Sequence, residues 1–304
     1  MDTKFFIIRA LTPLHAGSGE INYGLIDNLI QRDPITGLPN INASSIKGAF
    51  REHFEKVCSM EKEELYRLFG TPPIPEKEDK KEVNSDPAGY QEGHPEERSK
   101  EKSKPTRQQG RLRFFEATLL SIPCRCSNST APYIMVTSED VAQRCKSMMN
   151  VFGISANDII PEGKHHSEKG VKGAKIEDIL CITEMPGNNH PEKFKDVFYE
   201  GNESFTMVDN KNLVLLTDNN HLPIISRNQL ESGISANLWY EQILPRYSRL
   251  GFFVMGETED LTVFCDNLKN NNIVQIGANA TIGYGYCQVK PFSPNNNNTN
   301  TSKK

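Results

Sequence analysis

The sequence predicts an α+β fold of the ferredoxin-like (RRM-like) plan, in which the elements follow the order strand, helix, strand, strand, helix, strand. Short apolar, β-favouring runs occur near both ends of the chain. A segment with apolar residues at helical spacing follows the first run, and another precedes the last. The length of 304 residues suits one large domain, which we assign to residues 1–290.

The chain begins with a predicted strand, a loop and a helix. Residues 5–11 are apolar and β-favouring, and the Gly-, Pro- and Asn-rich stretch 12–42 is typical of a loop. Ser44 or Ser45 can then cap a helix that runs to about residue 57, because its apolar residues recur every three to four positions.

The later elements follow from the same patterns. Ser138 is expected to cap a helix, residues 187–212 are polar and irregular, and 221–245 alternates as in a protruding hairpin or thumb. The remaining predicted elements are helices at 62–69, 139–153 and 257–269, and strands at 111–123, 133–138, 176–186, 248–256 and 273–277.

Two segments are too polar to join a core. Residues 71–109 contain almost no large apolar side chains and mix both charges, which predicts a long, disordered, flexible insertion. The Asn-rich end, 291–304, is of low complexity and predicts a disordered tail.

Bulk properties restrict the function classes. The formal net charge of −4 argues mildly against a free-standing nucleic-acid binder, although a local basic groove remains compatible with it. The seven cysteines form no CxxC motif, so we expect reduced thiols rather than zinc ligands or disulfides. No apolar run reaches membrane length, and we expect a cytoplasmic protein with no membrane partner.

One loop carries two groups suited to acid–base or metal chemistry. His15 lies in TPLHAGSG and Asp27 in GLIDNLIQR. Histidine titrates near neutral pH and serves in general acid–base catalysis, whereas aspartate suits metal coordination. On their own chemistry, both residues are more typical of loop hydrogen bonding than of catalysis.

Three further segments offer chemistry for RNA. In SSIKGAFR, Lys47 and Arg51 lie one turn apart near a predicted helix start, where free N–H groups bind anions. In IGANATIGYGYCQV, the glycines let the backbone approach a phosphate and Tyr284 can stack on a base. LWYEQILPRY places Trp239 beside Glu241, which suits a wedge with a second carboxylate. A solvated helix face, a plain β-turn and a packed hairpin are the respective alternatives.

The motifs gain specificity from their order. TPLHAGSG, GLIDNLIQRDPITGLPNINASSIKGAFR, LLSIPCR, LWYEQILP and VQIGANATIGYG together resemble the backbone subunits of type III-B CRISPR complexes, RAMP proteins that form the fourth-named component of the Cmr complex. The resemblance implies a RAMP core with a thumb at 221–247 and self-association into a helical backbone on a CRISPR guide RNA. It also implies other Cmr subunits as partners and cleavage of a single-stranded target RNA at regular intervals.

The resemblance also implies residue roles. Asp27 matches the family's cutting aspartate, His15 its loop histidine and Glu241 the glutamate of its LWYE motif, so these are the expected catalytic residues. Asp27 would hold Mg²⁺ or another divalent cation, because an aspartate with a pKa near ~4 is a poor base at neutral pH. With the residues singled out above, the expected RNA-binding set is Ser44, Ser45, Lys47, Gly48, Arg51, Gly283, Tyr284, Gly285 and Arg246, with Arg249 as a further candidate.

Three alternatives remain open from the sequence. The chain is a non-catalytic RNA scaffold, a metal-free guide-processing endoribonuclease with His15 as general base, or the backbone subunit of the related type III-A complex. The LWYEQILP and GANATIGYG segments favour the type III-B interpretation over the last of these.

Overall fold

The computed structural model describes residues 1–19, 24–72, 108–127, 131–156, 173–181, 192–201 and 203–293. These residues form the expected α+β fold, in which helices pack against one large and mostly antiparallel sheet. None of the helices among them is long and apolar enough to cross a membrane.

The described elements alternate along the whole chain. The strands are β1 (Asp2–Ala10), β2 (Asn40–Ile41), β3 (Arg113–Phe114), β4 (Ala117–Ser127), β5 (Tyr133–Ser138), β6 (Lys175–Ile176), β7 (Leu180–Cys181), β8 (Phe205–Val208), β9 (Ile224–Glu231), β10 (Ile234–Gln242), β11 (Arg249–Gly256), β12 (Ile273–Gln275) and β13 (Tyr286–Pro291). The helices are α1 (Ala43–Lys56), α2 (Lys62–Phe69), α3 (Glu139–Val151), α4 (Glu192–Phe198), α5 (Asn210–Leu216) and α6 (Thr258–Asn270), with a 3₁₀ turn at Ala280–Ile282.

The main sheet has the strand order β12-β13-β1-β11-β4-β5-β8. Its neighbours are antiparallel except β5 and β8, which run parallel. Within this sheet, β13, β1, β11 and β4 are neighbours, with α1 following β1 and α6 following β11 along the chain. Strands β9 and β10 form a separate two-stranded sheet.

Phenylalanine side chains fill the space between α1, α6 and the sheet. Phe50 and Phe54 are one turn apart on α1, and both rings contact Phe264 of α6 with centroids 5.2 and 5.1 Å apart. Phe6 of β1 lies 5.4 Å from the same ring. All of these side chains are fully buried, so the helical spacing that predicted α1 also gives the face that the core covers.

Several predicted elements are confirmed closely. Helix α2 has the expected bounds, and Ser138 caps α3 by accepting a hydrogen bond from the Val141 N–H at 3.3 Å. Helix α1 begins at Ala43, which is earlier than expected, and Asn42 occupies the N-cap position. Ser44 and Ser45 therefore lie inside the first turn and do not cap the helix.

Three stretches differ from the prediction. In the described part of the expected strand at 176–186, β6 and β7 form a small hairpin, because Glu177 and Asp178 adopt left-handed backbone angles and turn the chain. Residues 182–186 lie outside the described residues. The stretch 187–212, expected to be irregular, contains α4, β8 and the start of α5. These elements are short and have few apolar residues. Their buried faces can be identified only when the elements are packed against the rest of the fold. The expected strand at 111–123 is divided into β3 and β4.

The remaining calls fall largely outside the described residues. The structure describes only the ends of the insertion at 71–109 and the first residues of the tail at 291–304, so both stay predictions. The seven cysteines are free in this structure.

Candidate nucleic-acid interface

A protruding β-hairpin, formed by β9 and β10, dominates the candidate site. Its two-residue turn is Ser232-Gly233, and both residues have positive φ angles of 53° and 83°, as a tight hairpin turn requires. Most of the hairpin is exposed, whereas its base at Glu241 and Gln242 is buried. The hairpin thus extends from a fixed base.

All three expected catalytic residues meet at that base. Asp27 bonds to the backbone of Tyr240, Glu241 is part of β10, and His15 bonds to the backbone oxygen of Gln242. Residues that lie more than 200 positions apart in the chain are therefore brought together within one three-residue segment of β10. The structure does not bring the expected RNA-binding residues of α1 into this segment.

Asp27 is the exposed member of this group. Its carboxylate Oδ2 accepts a hydrogen bond from the Tyr240 N–H at 2.8 Å, while its own N–H and that of Asn28 donate to the Tyr240 carbonyl at 3.1 Å each. Among the described residues, no donor reaches Oδ1. One oxygen thus fixes the loop to the hairpin base, and the other is available to a ligand.

His15 is buried and already bonded. Only 5% of its surface is exposed, and its Nδ1 lies 2.7 Å from the Gln242 carbonyl. Since that oxygen can only accept, Nδ1 carries the hydrogen. The His15 carbonyl also accepts the Ala278 N–H at 2.9 Å. These contacts make His15 a link between the hairpin base and the glycine-rich loop 276–285.

Glu241 has an equally full set of partners. Its carboxylate accepts hydrogen bonds from Trp239 Nε1 at 2.9 Å, Asn279 Nδ2 at 2.8 Å and Arg227 Nη1 at 3.3 Å. Only 6% of the residue is exposed. Glu241 thereby ties both strands of the hairpin to the glycine-rich loop.

The glycines of that loop have different reasons for their presence. Gly277 and Gly285 have φ angles of +85° and +73°, and a Cβ at either position would lie within 2.3 Å of a backbone oxygen. Their geometry is required inside the protein. Gly283, at φ +84°, has open space beside it. Tyr284, which follows, has the Arg227 guanidinium 5.9 Å from its ring centre.

The residues expected at the start of α1 divide into two groups. Ser44 and Lys47 line an open cleft of about 600 Å³, and Gly48 is exposed with nothing near its missing side chain. Ser45 Oγ accepts a hydrogen bond from Gln31 Nε2 at 3.2 Å. Arg51 does not line the cleft, because its Nη1 donates to the carbonyl at the end of α2 at 2.7 Å.

The two arginines after the hairpin also differ. Arg246 is exposed, with its guanidinium 5.6 Å from the ring centre of Tyr247. Arg249 is only 2% exposed and donates to the Asp196 carbonyl at 2.8 Å. Burial lowers the pKa of its guanidinium, with nearby carboxylates opposing the shift. The expectation of an RNA contact by Arg249 is wrong, because its side chain is enclosed by α4.

Two glutamines that the sequence patterns did not indicate connect separate segments of the site. Gln31 accepts the Asn42 N–H at 2.6 Å and donates to the Gly17 carbonyl at 3.0 Å, which connects the loop of His15 to the start of α1. Gln242 is fully buried, and its side chain contacts Ile30 N and Asn219. A glutamine carries no pattern that distinguishes a buried connector from a surface residue.

Arg32, the arginine of IDNLIQR, also connects segments of the site. Its guanidinium donates to Asn219 Oδ1 at 3.0 Å and to the Gly37 carbonyl at 2.8 Å. Burial lowers the pKa of this guanidinium, and the Asp218 carboxylate partly opposes the shift. The motif arginine therefore braces the loop that carries Asp27.

The residues that the structure describes do not by themselves supply a closed metal site. No group of three or more His, Cys, Asp or Glu side chains suited to a metal ion occurs within the described ranges. Mg²⁺ is commonly held by one or two carboxylates together with substrate phosphates and water. The single exposed carboxylate of Asp27 fits that arrangement only when RNA supplies the remaining oxygens.

The comparisons with known proteins agree with this architecture. Residues 7–288 match the model of the RAMP superfamily, and the chain belongs to that superfamily. The family predicted from the ordered motifs is thereby confirmed at the level of the superfamily.

Two curated relatives span nearly the same length. The chain is 25% identical to the CRISPR system Cmr endoribonuclease Cmr4 of Pyrococcus furiosus, over 94% of this chain and 95% of the relative. It is 22% identical to the CRISPR system CMR subunit Cmr4 of Saccharolobus solfataricus, over 94% and 96%.

Solved structures share the fold at low identity. A chain of the type III-B Cmr-beta complex in the apo state superposes with a TM-score of 0.69 at 18% identity, covering 96% of this chain and 98% of the other. Oligomeric Cmr4 from Pyrococcus furiosus gives 0.66 at 18% identity, covering 97% and 100%. The likeness extends over the whole architecture.

Proposed function

We propose that this protein is the backbone subunit of a type III-B CRISPR effector complex, which polymerises along a guide RNA and cuts complementary target RNA at regular intervals. The position of Asp27 is the main observation that supports this proposal. The exposed Asp27 carboxylate is fixed at the base of a protruding hairpin, in a chain that aligns end to end with a relative named as a Cmr endoribonuclease. The free cysteines support a cytoplasmic location.

The fold provides the parts that such a subunit needs. The order β13-β1-β11-β4 with α1 and α6 supports a ferredoxin-like core. The β9–β10 hairpin is the proposed thumb. Its exposed apolar side chains, Leu230, Ile234 and Leu238, suit insertion between stacked bases.

The proposed chemistry depends on the displaced nucleotide. When a base is pushed out of the stack, the neighbouring 2′-OH can turn in line with the next phosphate. Asp27 lies at the hairpin base, where that phosphate would arrive, and its free oxygen would hold a divalent cation such as Mg²⁺. Bound there, such an ion would neutralise the negative charge that develops on the phosphate.

Glu241 and His15 have a different part in this proposal. Both are buried and have several polar partners, so they hold the hairpin, the Asp27 loop and the glycine-rich loop in register. We assign them positioning roles, in place of the direct catalytic roles that the family resemblance implied.

The decisive experiment separates the charge of Asp27 from its hydrogen bond. An Asp27→Asn variant keeps an oxygen that accepts the Tyr240 N–H but loses the negative charge, whereas Asp27→Ala loses both. In a reconstituted complex, both variants are expected to lose target cutting. Asp27→Asn is expected to keep guide and target binding at the wild-type level.

The control is Glu231→Gln, which removes an exposed carboxylate from the far end of the same hairpin. It should cut normally. Cutting at the wild-type rate by Asp27→Asn would show a non-catalytic scaffold in which another subunit cuts. Cutting that persists in EDTA would exclude the metal role and return His15 to consideration as a general base.

A further inference from the structure

The cleft at the start of α1 contains two arginines that the sequence motifs did not indicate. Its lining includes Ser44 and Lys47 from α1, Arg113 from β3, and Arg111 from the segment that leads into β3. The cleft is open to solvent and measures about 600 Å³. Two separate segments therefore direct cations at one space.

The backbone around the arginines is firmly held. The Arg111 N–H donates to the Arg67 carbonyl at 2.9 Å, and Leu112 is 98% buried between the two arginines. Arg113 pairs with Met255 of β11. Arg111 and Arg113 are both exposed while Leu112 between them is buried, so both guanidinium groups lie on the solvent side of this segment.

The charges in the cleft are strongly unbalanced. Three cationic side chains line it, against one carboxylate, Glu257, in a chain whose formal net charge is −4. Neither Lys47 nor Arg113 forms an ion pair with any residue in the part of the chain that the structure describes. Unpaired cations gathered in a concave surface concentrate positive potential there.

Arg111 has a buried partner that holds it at the edge. Asp260, in the first turn of α6, is 1% exposed, and its carboxylate lies 4.0 Å from Arg111 Nη1 and 3.5 Å from Arg67 Nη1. Neither oxygen of Asp260 accepts a hydrogen bond from a described residue. This buried charge keeps Arg111 beside the cleft while most of its side chain stays exposed.

We infer that Arg111 and Arg113 bind phosphates of the guide RNA together with Lys47, so that this cleft is a backbone-binding site with three cations. The inference rests on the proposed function and adds to it the residues of a second segment. Binding here is independent of base identity, because the lining offers guanidinium and ammonium groups for phosphate rather than a pattern that distinguishes bases.

The test measures the salt dependence of RNA binding. Fluorescence anisotropy with the full chain and a labelled single-stranded RNA gives the dissociation constant over a series of salt concentrations. Each phosphate contact contributes about 0.7 to the slope of log K against log salt. Arg113→Gln is expected to reduce the slope by about that amount and to weaken binding about three- to ten-fold at low salt. The loss should be equal for two RNAs of unrelated sequence.

The matched control is Lys269→Gln, which removes one exposed cation from α6 outside the cleft. It should leave the slope unchanged. Arg113 is exposed, so its variant should keep the wild-type melting temperature, and a Lys47→Gln variant provides a second measurement of the same site.

The outcomes are distinguishable. If the wild type binds RNA and the Arg113→Gln and Lys47→Gln slopes equal its own, the inference is overturned and the proposed function stands. A loss confined to one RNA sequence would also overturn it, since phosphate contacts are common to all sequences. If the wild type did not bind RNA, both the proposed function and this inference would be overturned.

Discussion

Glu241 shows how burial changes the meaning of a carboxylate. In the sequence it stands beside two aromatic residues and suits either catalysis or packing. In the fold it accepts from three donors, including the Trp239 indole and the Arg227 guanidinium. A carboxylate with this many internal partners has little capacity left for a substrate, so its main contribution is to structure.

We predict that Glu241→Ala destabilises the protein by about 2–4 kcal/mol, because it leaves the Arg227 charge and the Trp239 N–H without their acceptor. Urea unfolding followed by circular dichroism measures the free energy of unfolding. Glu231→Gln, at the exposed end of the same strand pair, is expected to stay within about 0.5 kcal/mol of wild type.

A Glu241→Ala variant with wild-type stability would contradict this structural role. If such a variant also lost cutting, the catalytic interpretation would regain support. Asp27 provides the contrast, because its carboxylate is exposed and its single hydrogen bond is kept in Asp27→Asn.

Glycines in helices and loops also differ in whether contacts within the protein explain them. Gly48 lies inside α1, where glycine is unfavourable, yet a Cβ there would meet nothing within 4 Å. Packing therefore does not explain this glycine, and we propose that an RNA backbone approaches it closely. Gly285 is the opposite case, since a Cβ would lie 2.0 Å from the Ile276 carbonyl oxygen.

We predict that Gly48→Ala raises the free energy of unfolding by about 0.5–1 kcal/mol and weakens RNA binding. Gly285→Ala should lower the free energy of unfolding by at least about 2 kcal/mol, because φ is +73° and the added carbon would collide with the backbone. Thermal unfolding and RNA anisotropy on the same samples report both quantities. Unchanged RNA affinity in a stabilised Gly48→Ala variant would show that RNA does not approach this turn of the helix.

At the scale of the whole molecule, a net charge of −4 is compatible with RNA binding because the cations are local. The cleft at α1 is cationic, while other cations are paired within the protein, as in Arg9 and Arg249 with Glu200. We expect the proposed subunit to bind RNA weakly alone and to gain affinity when neighbouring copies share one strand.

We predict that the mass of the complex grows in steps of one chain as the single-stranded RNA is lengthened. Head-to-tail contacts between identical copies do not close and so extend along the RNA. Sedimentation velocity with a series of RNA lengths measures this, with a high-salt sample as the control in which the complexes should dissociate. One bound chain at every RNA length would contradict assembly as a backbone.

Much of the fold could be predicted because it depends on local pattern. The spacing of Phe50 and Phe54 predicted α1, and Ser138 marked the start of α3. The short elements between 187 and 212 could not be predicted, because residues such as Phe194 and Phe205 gain their meaning from each other, at 5.3 Å between ring centres. Long-range packing of this kind leaves no periodic trace in the sequence.

The sequence by itself determined the longer helices, most of the longer strands and the family, because helical spacing, turn residues and ordered motifs are local properties. Only the tertiary structure decided which polar residues are free to act. It left Asp27 and Lys47 accessible, enclosed Glu241 and Arg249, and brought Arg111 and Arg113 to the cleft. Burial, and the partners a side chain finds across distant segments, depend on packing between elements, which the residue type alone does not specify.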